Sequence, residues 1–163
     1  VQVRPVRRDD LAAWLPLWAS YNAFYGRSGA TALPEAITAS TWERFFDPHE
    51  PVHALVAAAR HERAGEGLGQ GTGQGALLGL VHFLYHRSTT RIEPTCYLQD
   101  LYTTEAARGH GIGRALIEGV YVAARDSGVR RVYWQTRSDN VTARRLYDRV
   151  AAHAGFIVYT HDT

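Results

Sequence analysis

Lysine is absent from the 163-residue sequence, because all eighteen residues in its Lys+Arg total are Arg. A Schiff-base lysine, a PLP lysine and the phosphate-binding lysine of a Walker loop are therefore excluded. Cysteine occurs once, at Cys96, so no disulfide can form within the chain. With no signal peptide ahead of Val1, the expectation is an intracellular, reducing, cytoplasmic setting. Methionine is also absent, so the natural start was either removed or lies upstream. Long apolar runs are missing too: the stretch around Ala76 to Tyr85 covers about ten residues and carries His82, against the roughly 20 that span a bilayer. No membrane partner is expected. A net charge of +2 is too small for a nucleic-acid footprint unless the arginines share a face. Glu105, Glu118, Asp139 and Asp148 interrupt such a face, and no nucleic-acid partner is expected.

What is present fits one globular domain spanning 1–163, with 45% hydrophobic and 21% charged residues. Val1 to Arg7 alternates like a strand. Asp9 is then placed to cap a helix carrying Leu11, Leu15, Leu17, Trp18, Tyr21, Phe24 and Tyr25. Pro34 opens a second helix with Ile37, Trp42, Phe45 and Phe46, closed by Pro48 and Pro51. His53 to Arg60 reads as a strand. The segment 61–75 contains GEGLGQGTGQG, six glycines alternating with other residues, and predicts a mobile hairpin loop. Ala76 to His86 and Thr95 to Thr103 follow as strands, the second rich in aromatic and branched residues. Ile112, Leu116, Val120 and Ala123 keep helical spacing up to Ser127-Gly128. Val132 to Thr136 predicts a strand, Asp139 or Asn140 the cap of a last helix, and Phe156 to Thr160 a final strand. The order is β α α β β β α β α β, a mixed α/β fold.

The segment Arg108-Gly109-His110-Gly111-Ile112-Gly113-Arg114 places three glycines between a strand and a helix start. Free N–H groups and the positive helix end make such a turn an anion site, and glycine lets a phosphate approach the main chain. The spacing lacks the Gly-x-Gly-x-x-Gly of a dinucleotide fold. A plain strand-to-helix turn is the competing reading.

Arg108-x-x-Gly111-x-Gly113 after a strand resembles the acetyl-CoA signature of the GNAT superfamily of N-acetyltransferases. Tyr97 to Thr103 before it, and Asn140-x-x-Ala143-x-x-Leu146-Tyr147 with Gly155-Phe156 after it, resemble that superfamily's fourth strand and C-terminal motif. The glycine block is similar to spermidine/spermine acetyltransferases, and the C-terminal half to a fungal and bacterial branch acting on histones, polyamines or amino acids. The resemblance implies a mostly antiparallel sheet splayed between its fourth and fifth strands, with about four helices. It implies acetyl-CoA as co-substrate. The pyrophosphate would lie on the amides of Gly109, His110, Gly111, Ile112, Gly113 and Arg114, with Arg108 also binding the cofactor, and the pantetheine along Leu101 and Thr103, with Asn140 touching it from the other side. Arg144, Arg145 and Arg149 would then face the 3′-phosphate or simply solvent. A small-molecule or peptide amine is the implied acceptor. A homodimer is compatible with relatives, Phe156 to Thr160 pairing across its interface.

By the same resemblance Tyr147 is the general acid that protonates the departing thiolate, with a packing role as the alternative. A tyrosine stays protonated at neutral pH and can donate. The incoming amine must lose a proton, and where some relatives carry Glu for that task this chain has Gln99. Asp100 is the nearest carboxylate, either the base or a structural residue. Tyr21, Phe24, Tyr25, Trp42 and Phe45 are candidates for the acceptor wall as well as for the core. The His49/His53 and His82/His86 pairs lack a third ligand, so no metal site is expected. Cys96 reads as a small core residue. Gln99 also leaves open a noncatalytic CoA-binding regulatory domain.

Overall fold

A computed structural model describes residues 1–60 and 76–163, and the glycine-rich loop expected in 61–75 lies outside them. The order is β1 (Gln2–Pro5), α1 (Leu11–Phe24), α2 (Glu35–Arg44), β2 (Val52–Ala58), β3 (Leu77–His86), β4 (Thr95–Thr103), α3 (Ile112–Asp126), β5 (Val132–Tyr133) and α4 (Val141–Val150). The strands lie side by side in chain order. β1 to β4 pair antiparallel, and β4 pairs β5 in parallel. Beyond Cys96↔Val132 and Tyr97↔Tyr133 that last ladder stops, so β4 and β5 splay, as the family resemblance implied.

The sheet is covered on both faces, which is why β2 buries five consecutive residues from Ala54 to Ala58 instead of alternating. On one face α3 presents the stripe Ile112, Leu116, Ile117, Val120 and Ala124 to Leu55, Val81, Phe83 and Leu98. Gly119 lets this helix sit close: a Cβ there would lie 2.8 Å from Val3 Cγ1 and 3.0 Å from Leu55 Cδ1. On the other face Trp14, Leu17, Trp18 and Tyr21 of α1, joined by Trp42 of α2, pack on Ala54, Val56 and Leu80. α3 ends where expected, with Gly128 at φ +74° and its N–H donating to the Arg125 carbonyl at 2.9 Å.

Two expectations are corrected. The helix α1 begins after Asp10, and Asp9 does not cap it. Asp10 is fully buried and accepts the Arg7 N–H at 2.8 Å together with a bidentate pair from Arg4 at 2.6 and 2.8 Å, so the acid binds β1 to the head of α1. Phe156 to Thr160 forms no strand, and Phe156 and Tyr159 are 79% and 87% exposed. A branched apolar run becomes a strand only where an edge accepts it, and β5 is two residues long.

Burial alone would raise the Asp10 pKa, but the hydrogen bonds from Arg4 and the Arg7 N–H, with the charges of both arginines, outweigh it and hold the carboxyl below its ordinary value. A lowered folded-state pKa gives stability that is present above the unfolded value of 3.8 and is lost as pH falls through the folded one. Asp10→Asn leaves Arg4 buried without its counter-charge and is expected to cost about 3–5 kcal/mol at pH 7. Urea melts should show that deficit narrowing below pH 3.8. Equal midpoints at pH 7 would contradict the clamp.

Candidate active site

The site is organised by an irregularity in β4. Its register with β3 runs Tyr97↔Leu84 and Leu98↔Phe83, then passes to Asp100↔His82 and Leu101↔Val81, so Gln99 is an extra residue, a β-bulge. In an unbroken strand Leu98 and Asp100 would share a face. Here Leu98 belongs to the core under α3, while Asp100 meets His82 on the α1 side.

On that side a chain of hydrogen bonds runs through the core. The Trp14 indole, which can only donate, gives its Nε1–H to His82 Nε2 at 3.0 Å. His82 Nε2 is therefore the bare nitrogen, and Nδ1 carries the proton toward Asp100 Oδ2 at 3.0 Å. Trp14, Trp18 and Phe45 enclose the imidazole, with ring centroids 5.8, 5.2 and 4.7 Å away. Asp100 is 6% exposed. Tyr21 is nearby: its ring stacks on Trp18 at 5.5 Å, and its phenol is pushed far above the ordinary tyrosine value, first by burial and then by the Asp100 carboxylate. Tyr25 is raised by burial and by the same carboxylate. Of the expected wall residues, Trp42 and Phe45 are core and Tyr21 is buried with them, while Tyr25, its ring 5.1 Å from that of Tyr21, and Phe24 are exposed beside it. His82, read only as half of a metal pair, spends both ring nitrogens on Trp14 and Asp100. A histidine set within the apolar strand Leu77–His86 was the one signal for it.

The other edge of β4 is open. Thr104 N–H donates to the Leu78 carbonyl at 3.0 Å, toward β3. Antiparallel alternation then directs the main-chain groups of Leu101 and Thr103 to the opposite edge, where β5 has already diverged. An extended chain can pair there.

That edge leads into the glycine turn. Gly109 and Gly111 have φ of +79° and +77°, a region that favours glycine, and a Cβ on either would meet no protein atom within 4 Å. The first helical bond of α3 runs from Ala115 N–H to the Gly111 carbonyl, so the N–H groups of Ile112, Gly113 and Arg114 are left free by the helix. A phosphate group fits this open cradle. The side chains of the turn face elsewhere: Arg108 toward Glu105, His110 onto the Arg108 carbonyl, Arg114 onto Glu118. Only its main chain forms the cradle. Gly113 lies between β4 and α4, its Cβ position 3.3 Å from Leu146 Cδ2 and 3.8 Å from Thr103 Cγ2.

Tyr147 of α4 stacks edge-on against Trp134 at 5.4 Å. Burial, with a smaller effect from Tyr25, pushes its phenol up to about 12. The hydroxyl has no hydrogen-bond partner among the described residues, and no described side-chain N or O is fully buried without one, so it is not sealed from solvent. Asn140 spends its amide on the helix, accepting from Ala143 N–H at 3.3 Å and donating to Thr136 Oγ1 at 3.2 Å. It still lines, with Phe24, Arg137 and Thr142, a cavity of about 410 Å³ between the end of α1 and the start of α4. Arg144 is turned to the Ser138 carbonyl at 2.8 Å. Cys96 is wholly buried, its thiol pushed up to about 12 by burial, which removes it as a nucleophile.

A mixed sheet splayed at β4–β5, with a glycine turn leading from the open edge into a helix, defines an acetyltransferase-type fold. Residues 16–152 match the acetyltransferase (GNAT) family. The chain is 33% identical over 159 residues to the D-amino-acid N-acetyltransferase HPA3 of Saccharomyces cerevisiae, covering 98% of this chain and 89% of that one. It is 26% identical over 161 residues to the uncharacterized N-acetyltransferase YhfO of Bacillus subtilis, covering 98% and 95%. A probable acetyltransferase of known structure superposes with a TM-score of 0.78 at 21% identity, over 100% and 98% of the two chains. The chain belongs to the GNAT superfamily of N-acetyltransferases, a family that uses acetyl-CoA.

Gly111→Val places a branched side chain in the open cradle. The positive φ adds a strain of about 1–2 kcal/mol, so the variant should fold with a lowered Tm. Calorimetry should find acetyl-CoA binding lost in the folded variant. Undiminished affinity would remove the phosphate from this turn.

Proposed function

We propose that the protein transfers the acetyl group of acetyl-CoA to the primary amine of a polyamine, amino acid or protein lysine, by direct attack in a ternary complex. Acetyl-CoA supplies an activated acetyl thioester. The open edge at Leu101 and Thr103 and the free amides from Ile112 to Arg114 support the assignment of its pantetheine and pyrophosphate to these residues, with Asn140 opposite. Tyr147 keeps its proton and gives it to the departing sulfur, a role that its raised pKa and open hydroxyl support. Asp100 takes the proton of the amine, with His82 hydrogen-bonded to it. A lysine-like amine is neutral in only about one molecule in a few thousand at pH 7, so a base contributes most there.

The single observation carrying this reading is the open edge of β4 that leads into the free amides at the head of α3, with the buried carboxylate of Asp100, held by His82 at 3.0 Å, on the same strand. Among acceptors, the relative named a D-amino-acid N-acetyltransferase favours an amino acid. The exposed apolar run Phe156 to Tyr159 supports a homodimer, and the lone buried Cys96 suits a cytoplasmic setting. The decisive experiment is an acceptor screen with acetyl-CoA that reads free thiol. Thiol release with an amine supports the reading. Binding of acetyl-CoA without release for any acceptor would favour a noncatalytic CoA-binding domain.

Tyr147→Phe should lower kcat by about 10²-fold with little change in acetyl-CoA affinity. Because burial pushes the phenol up to about 12, wild-type kcat should show no alkaline fall from this group across the neutral and mildly alkaline range. Unchanged kcat in the variant, with chemistry rate-limiting, would leave Tyr147 a packing residue. Asp100→Asn should be most impaired at low pH and recover as the amine deprotonates itself. A deficit equal at every pH would assign Asp100 a structural role only.

A further inference from the structure

The acceptor side of the cleft carries a cation that neither the sequence motifs nor the proposed chemistry uses. Arg27 follows α1 directly, and its backbone N–H donates to the Asn22 carbonyl at 2.9 Å. Its Nε donates to Asn22 Oδ1 at 2.8 Å, and buried Asn22 is itself fixed by donating Nδ2–H to the Trp18 carbonyl at 2.8 Å. The guanidinium lies over two of the acceptor-wall rings, with its carbon 5.9 Å from the Tyr21 centroid and 5.5 Å from that of Tyr25. One edge of the fork is therefore committed to holding the side chain in place. The two terminal nitrogens remain, and that is the pair of donors that grips a carboxylate.

Arg27 forms no ion pair among the described residues. The neighbouring cation, Arg137, is already neutralised, bound by Asp139 through two contacts of 3.0 and 2.8 Å. A half-buried guanidinium immobilised through Nε and stacked on aromatic faces has lost its side-chain entropy in advance, so an anion that reaches it binds a preorganised partner. The wall carries two charges on neighbouring groups: Asp100, held at 3.0 Å by His82 beside Trp18, and Arg27, over the face of Tyr21, whose ring stacks on Trp18 at 5.5 Å. That is a complement to a zwitterion.

We propose that Arg27 binds the carboxylate of the acceptor, and that the acceptor is accordingly a free amino acid, its nitrogen directed to Asp100 and its carboxylate to Arg27. This rests on the acetyltransferase reading of the site above and deepens it. A polyamine would set a second positive charge against Arg27, and a lysine within a protein has no free carboxylate to offer. Both are disfavoured by the same guanidinium.

The test compares free amino acids, in D and L forms, with the corresponding amino-acid amides, in wild type and in Arg27→Gln and Arg27→Lys. Acetyl-CoA affinity is measured alongside to show that each variant is folded. Arg27→Gln should lower kcat/KM for the free amino acids roughly 10- to 100-fold, chiefly through KM, the scale of a lost hydrogen bond to a charged group. The amides, which present no carboxylate to lose, should fall by no more than about twofold, and Arg27→Lys should regain part of the loss with the free acids. Each ratio compares one acceptor between two enzymes, so the different basicity of acids and amides cancels. Equal losses for acids and amides, or none for either, would overturn the role of Arg27. Wild-type transfer to polyamines but not to amino acids would also overturn it while leaving the acetyltransferase reading intact. Transfer to no amine at all would overturn that reading itself.

Discussion

The extra residue at Gln99 is the constraint on which the rest of the site depends. A strand alternates its side chains and, in step with them, the direction of its main-chain groups. Without the bulge, β4 would send Asp100 into the core beneath α3 with Leu98. With it, the carboxylate turns to α1 while Leu101 keeps its side chain against the α3 core and its main chain toward the open edge. One strand thereby presents two distinct surfaces, an open edge beside β5 and a face beneath α1.

The two proton-handling candidates sit in environments of opposite character. Tyr147 is packed by Trp134 and raised by burial, which favours the neutral donor form. Asp100 is buried on the α1 side of the sheet and accepts from His82 Nδ1–H at 3.0 Å. Trp14 sets this arrangement from a distance. By donating to His82 Nε2 it determines which ring nitrogen faces Asp100, and it is 0% exposed, so water cannot take its place.

Much of this was legible in the sequence because it is local. The stripe of α3, its glycine stop at Gly128, the Asn140 cap and the glycine turn each follow from residues a few positions apart. Tyr21 and Tyr25 are wall candidates through the family resemblance, which places the first two helices over the acceptor. What escaped depends on contacts between distant segments. A bulge at Gln99 has no signature in YLQDLYT, since it is fixed by the register with β3. Asp9 and Asp10 look alike as caps, and only the approach of Arg4 from β1 selects Asp10. His82 gains its role from Trp14, 68 residues away. The last strand was expected from Phe156 to Thr160 on composition, which says nothing of whether an edge is there to receive it.

The division of labour along β4 is tested most directly by amide hydrogen exchange with and without acetyl-CoA. In the free protein the N–H groups of Leu101 and Thr103 should exchange quickly while that of Tyr102, directed to β3, is protected. Saturating acetyl-CoA should protect Leu101 and Thr103 and leave Tyr102 unchanged. Slow exchange at Leu101 and Thr103 in the free protein, or no change when acetyl-CoA binds, would contradict the account.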